Sequence, residues 1–167
     1  MTDLSAEEIR EVWDGELQPV LPELIPTRVP SATREFLTTV GLPTTSLLAI
    51  SFIRDDRLST LVRRDGAEYL VFAQDTTNSV FGVDLESERV YRIDRGRTVF
   101  YNSDLALFVY FHGLLRQNVL SLSEVDEELL FNAINSVREP LAERDPEALS
   151  DDAPWEWFLS ELETEWE

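Results

Sequence analysis

The sequence predicts an α+β domain, and three observations carry that assignment. Hydrophobic spacing is helical near the start, changes to a period of two between about Leu47 and Tyr101, and becomes helical again afterwards. Six short runs rich in Ile, Val, Phe and Tyr fill the middle of the chain, separated by turn-forming clusters. Hydrophobic residues make up 43% of the chain, with 9 Phe, 4 Trp and 4 Tyr among them, a core that a disordered acidic chain lacks. N-terminal helices, a central largely antiparallel sheet of about five to six short strands, and C-terminal helices packed on it form an α+β order. The whole chain, residues 1–167, reads as one domain.

The elements follow in turn. Ser5-Ala6-Glu7-Glu8 has the capping-box form, and Ile9, Val12 and Trp13 follow at helical spacing, so a first helix is expected from about Ala6 to Gly15. Pro19, Pro22, Pro26 and Pro30 then forbid a long regular element. A second helix starts at Ser31 and stops at Gly41 and Pro43. Strands are expected at Leu48–Ile53, Leu61–Arg63, Tyr69–Ala73, Val80–Asp84, Arg89–Ile93 and Val99–Tyr101. Asn102 or Ser103 is placed to cap a helix carrying Leu105, Phe108, Val109, Phe111, His112 and Leu115. Ser123 is placed to cap the next, which Pro140 ends or kinks. The tail from Pro154 to Trp166 reads as a short amphipathic helix opened by its proline.

Charge narrows the function classes. The net charge is −19, from 33 acidic and 14 basic side chains, with no lysine. Residues 1–53 carry 3 Arg and 8 acids, residues 54–100 carry 8 Arg and 9 acids, and residues 101–167 carry 3 Arg and 16 acids. The C-terminal part therefore holds −13 of the total. A field of this sign repels nucleic acid and anionic lipid and speeds encounter with a basic partner. Scattered carboxylates also serve solubility, so charge alone leaves both readings open. The absence of cysteine suits a reducing compartment, the N-terminus lacks the pattern of a secretion signal, and no apolar run reaches the ~20 residues of a membrane helix. A cytoplasmic protein with no membrane partner is expected.

The inventory of reactive groups is thin. The single histidine, His112, sits in an apolar helical run and reads as a half-buried structural residue, and one imidazole cannot build a His-rich metal site. Asp55-Asp56, Glu127-Glu128 and Asp151-Asp152 could serve as acid/base pairs on a sugar, yet adjacent acids are unremarkable in so acidic a chain. The stretch Asp75-Thr76-Thr77-Asn78-Ser79 lacks the turn glycine and terminal glutamate of a calcium loop. The six glycines are dispersed, with no phosphate-cradling cluster. Arg54, Arg57, Arg63, Arg64, Arg89, Arg92, Arg95 and Arg97 read as a solvated sheet face pairing with carboxylates more than as a nucleic-acid contact. No catalytic, cofactor-binding or metal residue is expected, which leaves a protein that works by presenting a surface.

One ordered set of segments points further. Phe36-Leu37-x-x-x-Gly41-Leu42-Pro43 comes first, followed by Phe81-Gly82-Val83-Asp84 and Val90-Tyr91-Arg92-Ile93. Val99-Phe100-Tyr101-Asn102-Ser103-Asp104-Leu105-x-x-Phe108 and a tryptophan pair at Trp155 and Trp157 complete it. This order resembles the SUKH superfamily, named for the fungal Smi1/Knr4 regulators, and most of all its SUKH-4 immunity branch. The likeness spans about residues 19–160 and lies in order and spacing, since each motif is short. It departs at Glu86-Ser87-Glu88, where the family's strand pair usually turns through a glycine, which leaves that register open.

The resemblance implies a non-enzymatic immunity protein of a bacterial polymorphic toxin system that binds and neutralises a cognate toxin, often a nuclease or deaminase. The alternative is a regulatory or scaffold module of the Smi1/Knr4 type with no toxin partner. Toxins acting on nucleic acid hold polyanions in basic grooves, which carboxylates can occupy in place of phosphates. The expected interface comprises Asp145, Glu147, Asp151, Asp152, Glu156, Glu161, Glu163 and Glu165, with Trp155 or Trp166 as aromatic anchors. The free protein is expected to be a monomer or weak homodimer.

Overall fold

The structure is a computed structural model that describes residues 3–124 and 126–164. Helix α1 (Ala6–Val12) opens on the expected capping box: Glu8 N–H donates to Ser5 Oγ at 3.2 Å and Ser5 N–H to Glu8 Oε2 at 2.8 Å. It ends earlier than Gly15 because Trp13 turns into the core, where its fully buried indole Nε1 donates to the Val109 carbonyl at 2.8 Å. A two-residue strand β1 (Leu17–Gln18) follows, and after helix α2 (Ser31–Thr39) it pairs antiparallel with β2 (Leu42–Pro43). The hinge of this small sheet is Gly41, whose φ is +87° and whose added Cβ would lie 1.9 Å from Gln18 O.

The main sheet contains β3 (Ser51–Phe52), β4 (Leu61–Arg64), β5 (Ala67–Gln74), β6 (Val80–Asp84), β7 (Val90–Ile93) and β8 (Thr98–Asn102), all antiparallel. Strand β5 is the longest and is shared: β4 pairs with its first half, β3 with its end, and β6, β7 and β8 continue the sheet on its other side. The Glu86-Ser87-Glu88 turn needs no glycine. Asp84 accepts from Glu86 N–H at 2.9 Å and Ser87 Oγ at 3.0 Å, and Glu88 itself adopts φ 59°, fixing Val83 opposite Val90. The Glu88 carboxylate then reaches Thr33, accepting from its N–H at 3.2 Å and its Oγ1 at 2.8 Å, and so caps the first turn of α2.

Helix α3 (Leu105–Leu115) lies against the sheet with nearly every side chain buried. Phe108 is its keystone, with ring centroids 5.0 Å from Phe72, 5.3 Å from Phe81 and 5.4 Å from Tyr101. Its cap is Asp104, whose carboxylate accepts from Leu107 N–H at 2.8 Å, and not the expected Asn102 or Ser103, whose polar groups are engaged elsewhere. A π-helical turn (Arg116–Leu120) leads to helix α4 (Glu127–Arg144), capped by Asp126 in place of Ser123, with Leu129 N–H donating to Asp126 Oδ1 at 2.8 Å. Pro140 does not end α4: the turn beyond it is held by buried Leu141 and by Arg144, which pairs with Glu8 at 2.9 Å and lies over Tyr110. Tertiary packing here outweighs the cost of about 3 kcal/mol for an interior proline. Helix α5 (Pro154–Thr164) closes the described chain.

The close crossing of α1 and α3 depends on Gly113, where an added Cβ would meet Val12 Cγ2 at 2.4 Å and Trp13 Nε1 at 2.7 Å. Gly113→Ala is expected to destabilise the fold by about 1–3 kcal/mol through overpacking, read from the denaturant midpoint. An unchanged midpoint would contradict this packing.

Candidate functional site

The acidic groups of the C-terminal part divide into those that hold the fold and those that face water. Asp145 belongs to the first group and corrects the expectation that it lies on the surface. It is 1% exposed, accepts from Asn102 Nδ2 at 2.9 Å and Ser103 N–H at 3.0 Å through Oδ2, and from Ser103 Oγ at 2.6 Å through Oδ1. Asn102 Oδ1 in turn accepts from the Trp155 indole Nε1 at 3.1 Å. Trp155 is fully buried and therefore no surface anchor. Its indole NH fixes the orientation of Asn102, and this four-residue network joins β8 to the ends of α4 and α5. A buried carboxylate is tolerable here because its oxygens are met by donors.

The remaining predicted acids are placed as follows. Glu147 pairs with Arg89 at 2.9 Å, joining the segment after α4 to the sheet. Glu156 and Glu163 both meet Arg138, at 3.4 and 2.7 Å, which fastens α5 to α4. Asp151, Asp152 and Glu161 are exposed. Glu165 and Trp166 lie outside the described residues.

The expected interface leaves out the acids of α4, of which Glu127-Glu128 reads from sequence only as an acid/base pair. Glu127, Glu128, Glu139 and Glu143 are all exposed, and at about 100° per residue Glu128, Glu139 and Glu143 fall within about 60° of one another around the helix. Their spacing of eleven and four was the available signal. The arginines sharpen the asymmetry. Arg116 pairs with Glu16 at 2.9 Å and lies over Trp13, Arg138 bridges α4 and α5, and Arg144 pairs with Glu8. All three arginines after residue 101 are thus committed to internal bridges, whereas Glu127, Glu128, Glu139, Glu143, Asp151, Asp152 and Glu161 meet no cation among the described residues. Arg63 and Arg92 on the sheet pair with Glu68 and Asp75, Arg89 just before β7 pairs with Glu147, and Arg57 in the turn before β4 pairs with Asp55.

His112 is buried outright, more than the half-burial expected of it. Its Nδ1 lies 2.7 Å from the Phe108 carbonyl, which only accepts, so Nδ1 carries the proton and Nε2 the lone pair. Burial lowers its pKa from 6.5 to about 4, against the raising effect of that carbonyl. The unfolded chain takes up this proton as pH falls below about 6.5 and the folded chain does not until about 4, so stability is lost across that window. Between about pH 7 and about pH 5 the wild type is expected to lose about 2 kcal/mol that His112→Phe does not lose, measured by denaturant unfolding. Equal losses in the two proteins would contradict the assignment.

Among the described residues no group of three or more His, Asp or Glu is placed to hold a metal ion, and no helix is long and apolar enough to cross a membrane. The SUKH-4 immunity protein family matches residues 18–161, from β1 through most of α5. The chain belongs to the SUKH-4 immunity protein family. No curated protein and no solved structure matches it. Membership gives this SUKH-4 chain a toxin-immunity role and a cognate toxin as partner, in a family that is generally non-enzymatic. Among the residues that carried the SUKH-4 resemblance, Asn102, Ser103 and Trp155 meet in one buried network with Asp145, and Gly41 permits the close pairing of β1 and β2. These motif residues hold the fold, whereas Trp157 of the same set is 64% exposed, and the toxin-facing residues must be sought on the exposed surface.

Proposed function

We propose that this one-domain immunity protein neutralises a basic, nucleic-acid-acting toxin domain by covering its substrate groove in a one-to-one complex, as a cytoplasmic monomer or weak homodimer. The observation that carries this reading is the imbalance of charge: after residue 101 every arginine is taken up in internal bridges, while Glu127, Glu128, Glu139 and Glu143 of α4, Asp151 and Asp152 before α5 and Glu161 of α5 face water with no cation partner among the described residues. Such a face attracts the cationic groove of a nuclease or deaminase and offers oxygens where phosphates would sit. The contact set comprises Glu127, Glu128, Glu139 and Glu143 of α4, with Asp151, Asp152 and Glu161, rimmed by Glu147, Glu156 and Glu163. Inhibition is by occlusion and involves no turnover.

Co-expression tests the reading. Cells carrying the toxin gene encoded beside this one should grow when the protein is present and die when it is absent, and the two proteins should copurify. Equal killing with and without the protein, and no recovered complex, would sink it.

A further inference from the structure

A cavity of about 200 Å³ opens between the sheet, the Leu47–Ile50 turn and α5. Phe81, Tyr101, Trp155 and Phe158 wall it, and His112 lines it from the core. At its mouth stand Trp157 and Leu48, 64% and 40% exposed, two of the large apolar side chains the fold leaves to water. The volume is below the ~300–1,000 Å³ of small-molecule sites and suits a single inserted side chain.

Two further features mark this cavity. His112 is 1% exposed and Tyr101 9%, yet neither His112 Nε2 nor the Tyr101 hydroxyl has a hydrogen-bond partner among the described residues. Neither atom is sealed within the fold, so both are open to a hydrogen-bonding group that enters the cavity. Backbone strain adds to this: Leu48 and Ala49 both hold left-handed φ angles, 49° and 64°, in a tight turn closed by Leu47 and Ile50 exchanging hydrogen bonds at 2.9 and 2.8 Å. Non-glycine residues in that region persist where the strain serves a site, and here it sets Leu48 at the mouth.

We propose that this cavity receives one tyrosine side chain of the toxin, its ring held among the aromatic walls, its O–H donating to His112 Nε2 and its oxygen accepting from the Tyr101 hydroxyl. The inference rests on the toxin-binding reading only for which protein supplies the side chain. The chemistry excludes the other occupants. Asp75 already accepts from Arg92 at 3.0 Å and from Thr77 and Ser79, so a lysine or arginine would bring an uncompensated cation beside the Arg92 guanidinium. A carboxylate would face the lone pair of Nε2. Phenylalanine would fill the space but leave Nε2 and the Tyr101 hydroxyl unsatisfied. A tyrosine meets both requirements, since its phenol donates to Nε2 and accepts from the Tyr101 hydroxyl, and aromatic residues dominate the energetics of interface pockets.

The test uses the full chain with p-cresol, toluene and n-butylguanidinium as probes, read by the ¹⁵N resonances of His112 and the indole signals of Trp155 and Trp157. p-Cresol should shift Nε2 saturably and bind at least about fivefold more tightly than toluene, the guanidinium should give no saturable shift, and Trp157→Ala, at an exposed site, should weaken p-cresol binding. No saturable shift with p-cresol, or equal binding of toluene, would overturn the proposal. With the neighbour-encoded toxin, Trp157→Ala should raise Kd about tenfold or more through faster dissociation, and an unchanged Kd would also overturn it. If the wild-type protein binds no toxin at all, the immunity reading fails while the probe titration still decides the chemistry of the cavity.

Discussion

Asp145→Ala is expected to destabilise the protein by about 5 kcal/mol, the largest effect of any single substitution considered. The change strips the acceptor from Asn102 Nδ2, Ser103 N–H and Ser103 Oγ at once, in a site where water has little access. Each orphaned buried donor costs about 1–3 kcal/mol, and the loss passes to Trp155, whose indole NH depends on Asn102 for its partner. Asp145→Asn preserves the shape and one acceptor oxygen, so its cost should be smaller, about 2 kcal/mol. Guanidinium unfolding with a constant slope checks both. A midpoint for Asp145→Ala within about 1 kcal/mol of wild type would show that the network is not what ties β8 to the ends of α4 and α5.

Neutralising one face of α4 should have the largest effect on binding. The triple variant Glu128→Gln, Glu139→Gln, Glu143→Gln is expected to slow association with the toxin domain by about tenfold or more, while dissociation changes little. The three side chains are exposed and pair with no cation among the described residues, so stability should stay within about 0.5 kcal/mol per site. Stopped-flow association at low salt reads the rate. A variant that associates as fast as wild type would remove α4 from the encounter surface.

The sheet was legible in the sequence because its signal is local. Alternating residues and turn clusters place β4 to β8 close to the expected Leu61–Arg63, Tyr69–Ala73, Val80–Asp84, Arg89–Ile93 and Val99–Tyr101. The pairing of β1 with β2 was not legible, since it rests on the backbone of Gly41 passing against Gln18, a contact no period encodes. Helix caps were misplaced where several capping residues stand in series: Asn102, Ser103 and Asp104 all qualify by type, and the long-range demand of Asp145 on the first two leaves the third to cap. Asp145 itself illustrates the limit for the site. An aspartate is ordinarily exposed, and only the fold brings it to Asn102 and Ser103, more than forty residues earlier. By contrast the α4 carboxylates carried a readable helical spacing that the more obvious acidic tail obscured.

Capture of a basic toxin by an acidic face is tested most directly by the salt dependence of association. Between about 0.1 M and about 1 M salt the Debye length falls from about 10 to about 3 Å, so the wild-type association rate should fall by about tenfold or more, with a smaller dependence in the α4 triple variant. An association rate that stays level across that range, for wild type and variant alike, would contradict electrostatic capture.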